Sequence, residues 1–161
     1  MPKFMIEQVA LCPKNPGAAR ELLSAMGIDE WVFDHVSARG NVARSRNVES
    51  EADLSFNYQA LGIAKELEVL HYTRGPNWMR RLFRPRVRVS HLGMHCSESD
   101  VREWRAFFAA RNIPVAQELW TERHTNAAIA GKRRYHYVIF DTYPILGVDV
   151  KLIVRHDDAN I

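Results

Sequence analysis

Residues 89–108 read VSHLGMHCSESDVREWRAFF, and the fold is decided by how this stretch is parsed. Together with Val87 and Arg88 its opening is a short apolar run that predicts a strand over 87–96. Ser97 or Ser99 then supplies a helix N-cap, and Val101, Trp104, Phe107 and Phe108 fall on one helical face. Asn112 near Pro114 ends that helix. Downstream, residues 115–121, 135–141 and 147–154 read as three strands, with a polar loop over 122–134. The order is βαβββ.

The same order lies upstream. FMIEQVALC (4–12) is a β-branched apolar run, and Asn15-Pro16 is an N-cap and first-turn pair. Ala19, Leu22, Leu23 and Met26 form one apolar helical face, which Gly27 terminates. Strands are expected over 31–42, broken or turned at Gly40, over 53–61, where Leu54, Phe56 and Tyr58 alternate, and over 65–72. Gln8 and His91 hold matching places in the two opening strands, and Glu68 and Lys151 in the two closing strands; both pairs are 83 residues apart (91 − 8 and 151 − 68). One register shared by both ends argues for duplication. The expected division is 1–72 as the first βαβββ module, 73–86 as a linker and 87–161 as the second module, one structural domain built by duplication.

With 161 residues, 47% of them hydrophobic and 25% charged, the chain has an ordinary globular composition, which excludes disorder, collagen and coiled coil. A net charge of +3 is far from the dense basic surface of a dedicated nucleic-acid binder. No run reaches the length of a membrane span, and the N-terminus lacks a signal peptide's long apolar region. Cys12 and Cys96 make no disulfide framework and fit a cytoplasmic location. The linker TRGPNWMRRLFRPR (73–86) interleaves Arg74, Arg80, Arg81, Arg84 and Arg86 with Trp78 and Phe83, a pattern that suits polyanions, although a solvated connection is the simpler account. Nucleic acid is therefore not the expected partner.

IEQVALCPKNP, LEVLHY, VSHLGMHC and YVIFDTYPILGVDVKLI together resemble the vicinal oxygen chelate superfamily, which includes glyoxalase I, methylmalonyl-CoA epimerase, extradiol dioxygenases and the bleomycin and fosfomycin resistance proteins. The resemblance covers about residues 4–154. It implies an α+β fold of two βαβββ modules forming a barrel-like mixed sheet, a small-molecule ligand and a homodimer. It also places Gln8, Glu68, His91 and Lys151 on the four metal-holding positions. The first three would suit one divalent ion (Zn, Ni, Mn or Fe), but Lys151 is a cation where a ligand belongs. Asp149 shares the strand parity of Lys151 and is a possible substitute. Equally, Lys151 is able to pair with Glu68 and replace the metal's charge, and the balance leans slightly to that metal-free arrangement.

The expected catalytic residues are accordingly Glu68 and Lys151, with Lys151 as electrophile, amine nucleophile or base. Tyr135, Tyr137 and His95 are the expected ligand-binding residues. His136 points to the opposite strand face from the two tyrosines, and His124, Lys132, Arg133 and Arg134 flank the loop beside the site. The expected activity is lyase or isomerase chemistry in which the metal or Lys151 polarises a carbonyl. The alternative is a metal-free binding protein that sequesters its ligand.

Overall fold

The computed structural model describes residues 3–78 and 89–157. In chain order these form β1 (Gln8–Leu11), α1 (Pro16–Ala25), β2 (Val32–Val42), β3 (Ser45–Asn57), β4 (Glu66–Arg74), β5 (Val89–His95), α2 (Glu98–Ala109), β6 (Val115–His124), β7 (Arg134–Phe140), α3 (Tyr143–Leu146) and β8 (Asp149–His156). The strands close into one mixed barrel in the order β1-β4-β3-β2-β6-β7-β8-β5. Each half runs first strand, fourth, third, second. The halves join through the antiparallel pairs β1 with β5 and β2 with β6, so the sheet has no free edge.

Local chemistry accounts for the helices. Asn15 Oδ1 accepts from the Ala18 N–H at 3.0 Å, ahead of Pro16 at the first helical position. Ser97 and Asp100 form a reciprocal capping box at the start of α2. Val101, Trp104 and Phe108 of α2 then pack on Met94, Val138, Phe140, Val150, Leu152 and Val154, the outward face of the second half-sheet. Phe107 is only half-buried, edge-on to Trp104 at 5.3 Å and covered by the Arg111 guanidinium.

Three sequence expectations need correction. Leu22 and Met26 of α1 are 65% and 68% exposed. The helix lies against β4 and is pinned on its other side, where Arg20 Nη1 donates to Ser55 Oγ and Ser24 Oγ accepts from Trp31 Nε1, both at 3.2 Å. That roll turns Leu22 and Met26 outward. Gly40 is no turn: β2 runs through it to Val42, and the hairpin turns at Ala43 with φ 50°. A Cβ on Gly40 would lie 2.1 Å from the Glu118 carbonyl oxygen, so the glycine lets β6 come close. Finally, β3 starts at Ser45 and β6 reaches His124, because long cross-barrel pairing carries polar segments whose composition reads as loop.

The expected linker begins inside β4, which continues to Arg74. Trp78 packs on Ala38, Val42 and Leu119 at one end of the barrel. Arg80, Arg81, Phe83, Arg84 and Arg86 lie outside the described residues. Among the described residues no helix is long and apolar enough to cross a membrane.

Candidate functional site

Two rungs of the sheet build the site. Glu66, Gln8, Gly93 and Lys151 are successive partners across β4, β1, β5 and β8, and Glu68, Ala10, His91 and Asp149 form the next rung. Residues two apart on a strand share a face, so Gln8, Glu68, His91 and Lys151 lie on one inner wall. Gly93 makes this possible: a Cβ there would sit 2.9 Å from both Cβ and Oε1 of Gln8.

The polar atoms on this wall form a directed chain. Gln8 Oε1 only accepts, so His91 Nε2–H donates to it at 2.8 Å, and His91 Nδ1 accepts from Ser90 Oγ at 3.1 Å. Gln8 Nε2 in turn donates to Glu66 Oε1 at 2.5 Å. Burial, and next the charge of Lys151, hold the imidazole below the ordinary histidine range, which keeps it neutral.

Glu68 is 1% exposed. Its Oε2 lies 3.2 Å from His91 Nε2, off the line of that N–H, and has no hydrogen bond. Burial pushes this carboxyl up, but the positive charge of Lys151 and then the His91 ring outweigh it and hold it below the usual carboxylate range. Glu68 is therefore ionised at neutral pH. Lys151 is 6% exposed, and its Nζ stands 4.1 Å from the centroid of the Tyr137 ring. Among the described residues no carboxylate oxygen lies within 4.0 Å of it, which corrects the expectation of a direct hydrogen bond to Glu68. The register explains this: the rung of Glu68 ends at Asp149, so Lys151 starts one rung away, and its side chain lies beside Tyr137, diagonally placed on the neighbouring strand β7.

His91 Nε2 lies 2.8 Å from Gln8 Oε1 and 3.2 Å from Glu68 Oε2, separations that ligands on a dication also adopt, about 3 Å for bonds of about 2.1 Å. The chemistry of the set does not suit a resident dication. Glu68 and Lys151 already cancel in charge, so a dication would leave two uncompensated charges on a buried wall. Among the described residues no group of three or more His, Cys, Asp and Glu is placed to hold a metal.

The lumen has two chambers that share Leu54 and Tyr137 as their partition. One is mostly apolar, lined by residues such as Val36, Ala52, Leu70 and Leu119, and carries Glu68 and Lys151. The other is polar and brings together Gln8, Tyr135, Tyr137 and His95. Tyr135 and Tyr137 stack at 5.7 Å, the Tyr135 hydroxyl accepts from Arg133 at 3.2 Å, and His95 stands at the exposed rim.

Sequence reasoning missed two features of the polar chamber. Asp34, on β2, accepts from His124 Nδ1 at 2.6 Å and from the N–H groups of Thr125 and Asn126 at 2.9 and 3.0 Å. Burial works against that carboxylate, yet these bonds hold it below its ordinary range. The partners are 90 residues apart, and only the β2–β6 register reveals the pair. Tyr58 also lines this chamber, and burial with the nearby Glu66 carboxylate raises its hydroxyl to about 12. His136 faces outward, between Glu98 and Glu118 at 2.9 and 2.8 Å and stacked on Trp120.

No family model matches the sequence, and no curated protein matches it. Solved structures do match. A variant of Streptomyces coelicolor methylmalonyl-CoA epimerase in complex with 2-nitronate-propionyl-CoA is 17% identical, covers 93% of both chains and has a TM-score of 0.52. A methylmalonyl-CoA epimerase in complex with methylmalonyl-CoA and NH4+ is 16% identical over 92% of each chain, with a TM-score of 0.51. The Mycobacterium tuberculosis methylmalonyl-CoA epimerase is 11% identical over 96% of this chain and 92% of its own, with a TM-score of 0.50. The likeness is one of fold: the chain has the vicinal oxygen chelate, or glyoxalase-like, fold, and its structural neighbours in that superfamily are methylmalonyl-CoA epimerases.

Proposed function

We propose that the protein is an isomerase-type enzyme that moves a proton on the carbon next to a carbonyl group of a small molecule held in the lumen. The observation that carries this reading is the pairing of Glu68 and Lys151 on the wall of an apolar chamber, both almost wholly buried. Glu68 is ionised and has a bare oxygen, so it is the base. Lys151 supplies the positive charge that stabilises the enolate formed when the proton leaves. The low dielectric of the chamber strengthens that interaction. Tyr135, Tyr137 and His95 orient the polar end of the substrate in the second chamber. The neighbours crystallised with methylmalonyl-CoA and with 2-nitronate-propionyl-CoA make an acyl thioester a reasonable first candidate.

The test is solvent deuterium uptake, followed by NMR, with methylmalonyl-CoA and a panel of small aldehydes and ketones in D2O. Uptake in the wild type should fall by about a hundredfold or more in Glu68→Gln, as for loss of a general base. Equal uptake in the two proteins would refute the reading. The hydrogen-bond chain through Ser90, His91, Gln8 and Glu66 favours a second reading, because it leaves these groups engaged with one another. That reading is a protein that binds the ligand without turning it over, and thermal stabilisation by a panel compound with no deuterium uptake would establish it.

A further inference from the structure

The chain has five lysines, Lys3, Lys14, Lys65, Lys132 and Lys151. Four are exposed, and Lys151 alone is buried. A buried lysine ordinarily has a carboxylate partner. Lys151 has none within 4.0 Å among the described residues, and its nitrogen instead faces the Tyr137 ring at 4.1 Å. Nothing on that side locks the nitrogen by a hydrogen bond, and it borders the open apolar chamber together with the Glu68 carboxylate. The Tyr137 ring and, through space, the Glu68 carboxylate offset its charge, but neither holds the nitrogen by a hydrogen bond.

From this arrangement we infer that Lys151 is a covalent amine nucleophile that forms an imine with an aldehyde or ketone bound in the apolar chamber. The inference rests on the proton transfer by Glu68 in the reading above, but it gives Lys151 a covalent role in place of the electrostatic one and aldehydes and ketones in place of the acyl thioester, which forms no imine. The uncharged amine, after giving its proton to solvent, attacks the carbonyl carbon. The new C–N bond forms as the C=O π pair moves to oxygen, and two proton transfers then release that oxygen as water and leave a C=N bond. Protonated on nitrogen, this group draws electrons from the adjacent carbon. Glu68 removes the proton there, the C–H pair becomes the C=C bond of an enamine, and return of the proton to either face yields the isomer. Hydrolysis restores the amine and releases product, so no oxidant or reductant is consumed. The apolar lining suits uncharged substituents, and the ionised Glu68 disfavours a carboxylate beside the reacting carbon.

The experiment is reductive trapping on the full-length wild type. The protein is incubated in turn with butanone and with 2-methylbutanal in the presence of cyanoborohydride, which reduces an imine to a stable secondary amine, and is then weighed intact and mapped by peptide mass. The expected result is one alkyl group per chain, located on Lys151 ahead of the four exposed lysines, and its loss in both Lys151→Met and Lys151→Arg. The arginine variant keeps a cation but has no amine to condense. Label absent from Lys151, or spread over the exposed lysines, overturns the inference, and the wild-type map gives this answer whether or not the variants fold. Deuterium uptake measured in parallel without cyanoborohydride separates the two claims. Uptake without an adduct leaves the proton-transfer reading standing and removes the imine, whereas an adduct without uptake upholds the nucleophile and removes the proton transfer.

Discussion

At the scale of residues, the buried charge of Lys151 sets the chemistry of the inner wall. The donor atoms of Gln8, Glu68 and His91 retain a spacing a dication would accept, while Lys151 makes the charge wrong for one. Reversing that charge should therefore reverse the preference. Lys151→Glu is expected to gain thermal stabilisation from Zn²⁺, Ni²⁺ or Mn²⁺, by about 1–3 kcal/mol at metal concentrations ten to a hundred times the Kd. The wild type and Lys151→Glu/His91→Ala should gain none. Differential scanning fluorimetry with and without each metal checks this, and stabilisation of the wild type that depends on His91 would contradict the charge argument. The 83-residue spacing made Gln8 and His91 legible as a pair, because each occupies the same place in its opening strand. It did not reveal that Lys151 lies against Tyr137 and makes no hydrogen bond to Glu68, since that spacing carries nothing of the β7–β8 pairing that sets the two side by side.

At the scale of elements, periodicity identified α1 and α2 and the buried face of α2, but not the roll of α1 that exposes Leu22 and Met26. In α2 the ring of Phe108 stacks on Phe140 at 4.3 Å within the outer core, whereas Leu22 of α1 faces outward. Phe108→Ala should cost about 3–5 kcal/mol, the range for emptying a packed aromatic site. Leu22→Ala should cost about 0.5 kcal/mol or less, as for an exposed site away from special features. Urea denaturation measures both, and comparable losses would mean that α1 carries as much of the core as α2. The start of α2 is also held electrostatically. Glu98 and Glu118 flank His136, His156 Nε2 lies 3.0 Å from Glu98, and Arg105 pairs with Glu118. Burial lowers the affinity of His136 for its proton, yet the two carboxylates raise it above the ordinary 6.5 overall. That contribution is complete below 6.5 and fades as pH rises through the folded value. The His136 hydrogen bond holds Glu118 down at about 2 from its ordinary 4.5, so its contribution is complete above 4.5 and fades as pH falls toward 2. The Tm gap between wild type and Glu118→Gln should thus be widest between pH 4.5 and 6.5. It should narrow on both sides, less on the alkaline side, where the Arg105 pair persists. A gap that does not change with pH would show that Glu118 acts by packing alone.

At the scale of the whole molecule, the repeated strand order was legible because each half has the same succession of periodicities. Closure was legible only through the family resemblance, because the β1–β5 and β2–β6 seams join strands from different halves and no local pattern encodes them. Closure converts two half-sheets into a lumen, and Tyr137 with Leu54 divides it. Tyr137 is placed to act as the partition because it stacks on Tyr135 on one side and receives Lys151 on the other. Burial pushes its hydroxyl well above the ordinary tyrosine range, so it stays neutral and the ring keeps its place beside the ammonium. Tyr137→Ala should have two linked effects. Removing a large ring that lines open space on both faces should lower stability by less than the 3–5 kcal/mol of a close-packed aromatic site, about 1–3 kcal/mol, because part of its surroundings is already cavity. The same change joins the two chambers and takes away the one group that Lys151 faces, so carbonyl compounds too large for the apolar chamber gain access to the amine. Ketones much bulkier than 2-methylbutanal, such as benzophenone, are therefore expected to raise the Tm of Tyr137→Ala and to leave that of the wild type unchanged, with Tyr137→Phe behaving as the wild type. If bulky ketones stabilise the wild type equally, the chambers are already continuous in solution and Tyr137 is wall, not partition.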